Sequence, residues 1–145
     1  MIATSTRRIR DPLFLDSGFL IALNAADDQH HQRAVEHWQL IGRTAPLVTT
    51  TYIVDEVVTF FNNRGRHAKA VRIGNLLIAS GWVELLHVDE DLFRAGWEYM
   101  VKHADKQYSL TDCISFTVMH RMGLQEALTF DAHFQQAGFR RVPQG

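Results

Sequence analysis

Five short apolar runs, each separated from the next by a stretch patterned for helix, constrain this chain more than any other feature. "LFLDS" from Leu13, "LVTTT" from Leu47, "WVELLHV" from Trp82, "EALTF" from Glu126 and "FRRVP" from Phe139 have the length and residue types of strands. Between them, Gln29 to Ile41 sets Ala34, Val35, Trp38 and Ile41 at helical spacing. "AKAVRIGNLLIASG" from Ala68 does the same with Val71, Leu76, Leu77 and Ile78 before a stop at Gly81. Strand alternating with helix predicts a parallel sheet covered by helices on both faces, and ligands of such sheets gather outside the carboxyl ends of the strands.

A chain of 145 residues, 46% hydrophobic and 21% charged, is long enough to bury one core. No repeat, low-complexity tract or linker interrupts it, so a single domain is expected over 12–145, preceded by an arm at 1–11, "MIATSTRRIRD", that reads as disordered, as a start-site artefact or as an RNA contact. A formal charge of −1 excludes a protein that coats nucleic acid through bulk charge, so a polyanion must be met locally. The lone Cys113 cannot form an internal disulfide, and no apolar stretch is long enough for a signal peptide or membrane span. A cytoplasmic, reducing setting with no membrane partner is the expectation.

Four carboxylates stand out against this background. Asp16 ends the first apolar run, where its side chain would lie at a strand's carboxyl end or cap the following helix. Glu56 falls within the stripe Ile53, Val57 and Phe60, whereas Asp55 aligns with Thr51, Thr59 and Asn62 on the polar side. A carboxylate turned toward a core needs a cation or donors in place of its water, and an arginine such as Arg64 or Arg66 would serve as well as a functional partner. Asp112 completes a Ser109-x-x-Asp112 capping box, and Asp131 follows a strand and could cap "AHFQQAG".

Capping explains each acid singly but gives no reason for several to face one rim. Carboxylates at close range raise one another's pKa, so a cluster implies a bound cation. All four offer hard oxygen ligands, and no Cys and His pair at zinc-like spacing competes with them, which favours Mg²⁺ or Mn²⁺.

"LFLDSGFLIAL", "TTTYIVDEVVTFF", "YSLTDCISF" and "EALTFDAHF", taken in that order, resemble the PIN-domain ribonucleases over about residues 13 to 142, and among them the VapC toxins of type II toxin–antitoxin pairs. The resemblance implies a three-layer α/β/α domain with a central, about five-stranded parallel sheet. It implies a metal site of Asp16, Glu56, Asp112 and Asp131, with Ser17 and Thr111 as supporting hydroxyls. It also implies RNA cleavage by metal-activated water that leaves a 5′-phosphate and a 3′-hydroxyl, a homodimer, and a small antitoxin that holds the toxin inactive. The segment 1–11 departs from relatives that begin almost at the first strand.

An acidic groove repels phosphate, so cations are required around it. "NNRGRHAKAVR" offers Arg64, Arg66, Lys69 and Arg72 just beyond the Glu56 helix, and Lys102 and Lys106 precede the Asp112 helix; each reads equally as solvated surface. His30 and His31 follow Asp27 and Asp28 at a helix start, where capping is the simpler role, and His133 reads as a surface residue of a short helix. Trp38, Trp97 and Phe116 read as core. Three other classes compete. A haloacid-dehalogenase phosphatase wants a second Asp two positions after the first, where Gly18 stands. A receiver domain wants an acidic pair after its first strand and a late Lys, neither of which is found, although Asp89 follows the third run. The alternative that survives is a non-catalytic PIN-fold module that binds RNA or protein and uses its acids as caps.

Overall fold

The computed structural model describes residues 11–41 and 44–144; residues 1–10, which make up most of the expected arm, lie outside it. Strands β1 (Leu13–Leu15), β2 (Leu47–Thr50), β3 (Val83–Leu86), β4 (Glu126–Leu128) and β5 (Arg140–Val142) coincide with the five apolar runs. All pair in parallel in the order β3-β2-β1-β4-β5. The helices are α1 (Ser17–Asn24), α2 (His31–Ile41), α3 (Thr51–Asn62), α4 (His67–Ala79), α5 (Glu90–Lys102), α6 (Leu110–Met122) and α7 (Ala132–Gln136). The three-layer α/β reading of the sequence is therefore correct.

The strand order places the functional rim. The chain builds outward from β1 to β3 on one side and then crosses back to lay β4 on the other side of β1, so successive connections diverge between β1 and β4. Divergence opens a crevice at the carboxyl ends of those two strands. Leu15 is paired with Leu128 there, and Asp16 N–H donates to the Leu128 carbonyl at 3.1 Å, which fixes Asp16 beside Thr129. β1 is buried along its whole length, since it is the central strand and has helices on both faces.

Three helical faces differ from the sequence reading. In α4 the buried positions are Ala70, Ile73, Gly74 and Leu77, an i, i+3, i+4, i+7 stripe, and this turns Val71, Leu76 and Ile78 outward. In α3 Phe61 is buried beside Ile53 and Val57, while Phe60 is only partly covered. Trp97 is 51% exposed on the outer side of α5, whereas Phe116 is fully buried and Trp38 packs against Phe19 and Trp82. α5 meets α6 at Gly96, where a Cβ would come within 2.5 Å of Ile114 Cγ1 and 3.2 Å of its Cα. Only glycine permits that approach.

Candidate metal centre

Each acid reaches the rim from a separate segment. Asp16 is the residue on which β1 becomes α1, yet its carboxylate makes no capping bond to that helix. It is 5% exposed and accepts instead from Thr129 Oγ1 at 2.6 Å. Burial, reinforced by the charges of Asp112 and Asp131 and opposed by hydrogen bonding from Thr129 and from the Ser17 backbone, pushes its pKa up to about 7. A buried acid that is neither ion-paired nor used as a cap has a local explanation only if something else is meant to meet it.

Asp112 and Asp131 do act as caps. Ser109 Oγ accepts the Asp112 N–H at 3.0 Å and Asp112 Oδ2 accepts the Ser109 N–H at 3.1 Å, so the capping box expected from "SLTD" is complete. Asp131 Oδ1 accepts the His133 N–H at 2.9 Å at the start of α7. These bonds fix the carboxylates' positions and leave further lone pairs available. Desolvation, together with the negative charge of Asp131, raises the pKa of Asp112 despite its hydrogen bonds to Ser109 and His133.

Glu56 stands at the mouth. It does not enter the core, since its residue surface is exposed, and among the described residues no arginine pairs with it; its carboxylate accepts the Ser17 hydroxyl at 3.0 Å. Partial desolvation, ahead of the charges of Asp112, Asp55 and Asp131, raises its pKa against the Ser17 bond. Ser17 therefore links the first acid's segment to the second acid directly. Thr111 lies half-buried next to Asp112, and its carbonyl accepts from Ser115.

Two participants carried weaker sequence signals. Thr129 donates to Asp16 and accepts the Asp131 N–H at 3.0 Å, joining the first and last acids through one hydroxyl. Its position two residues before Asp131, at the end of a strand, was the signal. His133 lies with Nδ1 3.1 Å from Asp112 Oδ2 and 3.5 Å from Asp131 Oδ1, so it is part of the cluster rather than loose surface.

These donors fit a hard divalent cation. Asp112, Asp131 and His133 each offer one ligand atom within 4.8 Å of the others, and the buried Asp16 carboxylate is charge-coupled to the same two aspartates.

The cations expected around the groove are differently placed. α3 runs away from the rim, and Arg64 stands in the turn that follows its last residue, Asn62. Arg64 covers the Phe60 ring at 3.5 Å and donates to the Phe60 carbonyl, and Lys69 Nζ donates to the Asn24 carbonyl at 2.7 Å, so both are engaged within the protein. Arg66 is exposed. Closer to the acids, Arg141 donates to the carbonyl of Phe130, the residue before Asp131, and Arg33 stands 5.4 Å from the Phe130 ring centroid.

A doubly wound sheet with acids at its switch point defines the class: residues 13–140 match the PIN-domain model, and the chain belongs to the PIN-domain family. Its relatives include the 23S rRNA-specific endonuclease VapC20 of Mycobacterium tuberculosis, 34% identical over 130 residues that make up 90% of this chain and 97% of the relative. The crystal structure of that protein, described as a sarcin–ricin loop cleaving toxin, superposes with a TM-score of 0.81 over 88% of this chain and 96% of the other. FitAcB from Neisseria gonorrhoeae, 15% identical, shares the fold with a TM-score of 0.63 over 89% of this chain and 95% of the other.

Proposed function

We propose that this protein is a divalent-metal-dependent endoribonuclease and the toxin of a toxin–antitoxin pair, with Asp16, Glu56, Asp112 and Asp131 as the residues that hold Mg²⁺ or Mn²⁺. The observation that carries this is Asp16: a buried carboxylate, free of any capping duty, facing two further aspartates at the switch point of a parallel sheet. Caps alone explain Asp112 and Asp131 but not Asp16, which disfavours a non-catalytic module.

A bound divalent cation supplies Lewis-acid chemistry, lowering the pKa of water at the site and neutralising charge on a phosphodiester. The chain's own residues supply rigidity. Thr129 holds Asp16 in register with Asp131, the Ser109 box anchors Asp112, Ser17 steadies Glu56, and His133 restrains Asp112 from the side of α7. Fixing ligands in this way avoids reorganisation when charge develops on the phosphate. Thr111 is carried as a supporting hydroxyl, and the exposed Arg66 as a contact to phosphates outside the site, with the exposed Arg64 and the half-buried Lys69 as further RNA contacts of the same side.

The named activity of VapC20 makes the sarcin–ricin loop of 23S rRNA the first substrate to test. A small antitoxin and a second copy of this chain are the proposed partners. Val71, Leu76 and Ile78 on α4 and Phe93, Trp97 and Val101 on α5 remain exposed, apolar surface of the kind that partners cover. The deciding experiment incubates purified protein with ribosomal RNA and Mg²⁺ or Mn²⁺. Cleavage is expected, with loss in excess chelator and in Asp112→Asn; undiminished cleavage in chelator would refute the proposal.

A further inference from the structure

Phe130 lies between the Thr129 that holds Asp16 and the Asp131 that completes the cluster, yet its ring leaves the acids and enters a stack. Phe19, buried in α1, lies on it at 5.8 Å between centroids and 17° between planes. His30, at the start of α2, lies 4.3 Å away and 12° from parallel. Three near-parallel rings thus run from the buried Phe19 to the half-buried imidazole of His30, the middle one carried by the residue that precedes Asp131.

The backbone of His30 is fully occupied. Its N–H donates to Asp28 Oδ1 at 2.8 Å and its carbonyl accepts from Ala34. Among the described residues, its ring makes no hydrogen bond and is held by stacking alone. Both signs of charge surround the stack: Asp28 accepts the His30 N–H, Arg33 lies 5.4 Å from the Phe130 centroid and donates to the Gln144 carbonyl, and Arg141 donates to the Phe130 carbonyl at 3.0 Å and to Gln135 Oε1. Planar rings beside guanidinium groups suit unstacked RNA bases and their phosphates, because a base adds its π-face to the ring while the arginines offset phosphate charge.

Resting on the nuclease reading above, we infer that His30, backed by Phe130, is the platform on which a base flanking the scissile phosphate stacks, with Arg33 and Arg141 supplying charge next to it. The base would extend the stack by one ring, and the stack is tied to the site through Phe130, the residue before Asp131. His30 is a substrate-binding residue with no part in proton transfer.

The test uses the full-length protein and a short RNA spanning the site at which it cuts ribosomal RNA. His30→Ala is expected to raise KM about tenfold with kcat little changed, because base stacking contributes equally to ground and transition states. His30→Tyr, which keeps a planar ring, is expected to restore KM, and thermal melts of both variants establish that each is folded. Replacing the flanking base by an abasic site should cost the unaltered protein a similar factor and His30→Ala almost nothing. An unchanged KM in His30→Ala, or equal abasic penalties in both proteins, overturns the platform while leaving the nuclease reading intact. Absence of cleavage of any RNA by the unaltered protein overturns both.

Discussion

Replacing Asp16 by Asn should stabilise the metal-free protein, and the size of the gain can be worked from its surroundings. The carboxyl has a pKa of about 7 in the folded chain against 3.8 for the free side chain. Well below pH 3.8 it is protonated in both states and contributes no difference. As pH rises toward 7 the unfolded chain releases its proton first, so the folded state loses stability across that window and recovers none of it above. A gap of about three pH units, at 1.36 kcal/mol each, is an upper limit of roughly 4 kcal/mol. For a chain of this length that corresponds to about 10 °C in Tm. Melting in chelator from pH 3 to 8 should therefore show a decline that Asp16→Asn flattens, the gap between the two proteins closing toward pH 3. Added Mn²⁺ should then raise the Tm of the unaltered protein, by about 2.7 kcal/mol of stability at one hundred times its Kd. The variant should respond far less. A flat profile for the unaltered protein, or a variant less stable at pH 8, would refute the account of Asp16 as an unpaired buried acid.

Thr129→Val removes a buried hydroxyl that serves two acids, and chemical denaturation should report a loss of about 1–3 kcal/mol together with weaker Mn²⁺ binding. Asp112→Ala should cost about 1 kcal/mol more than Asp112→Asn, since only the amide keeps an acceptor for the Ser109 N–H, while both abolish cleavage; equal melts would contradict the capping role. Gly96→Ala drives a methyl into Ile114, so unfolding should show about 1–3 kcal/mol of destabilisation and cleavage should fall, because α6 carries Asp112. Cys113, fully buried with its thiol pushed up to about 11 by burial, should resist alkylation at pH 8 until the chain is unfolded.

Local chemistry made much of this fold readable. The five strands follow from apolar runs that no other element could bury, and "SLTD" specified its capping box residue by residue. Asp16, Asp112 and Asp131 could be singled out because each sat at a strand end or helix start, and Glu56 because it fell within an apolar helical stripe. What stayed hidden depended on the sheet order. Until β4 is known to lie against β1, nothing in the sequence says that Thr129 meets Asp16 across 113 positions, or that His133 turns toward Asp112. The direction of α3 likewise decides that Arg64 and Lys69 are carried away from the rim, which spacing along the chain cannot reveal. The face of α4 was misread for a simpler reason: with apolar residues on two sides of the helix, only packing decides that Ile73 and Leu77 go inward while Leu76 and Ile78 do not.

The central position of β1 also has a consequence for biosynthesis. β1 is made early, but one of its two neighbours, β4, is among the last elements to be translated, and Asp131 follows it. Until that strand emerges, the first acid has neither its Thr129 hydroxyl nor its late partner, and β1 has an open edge where the crevice will be. No nascent fragment can hold the complete site. On the proposed nuclease reading, cleavage is expected only from chains that already include β4 and Asp131.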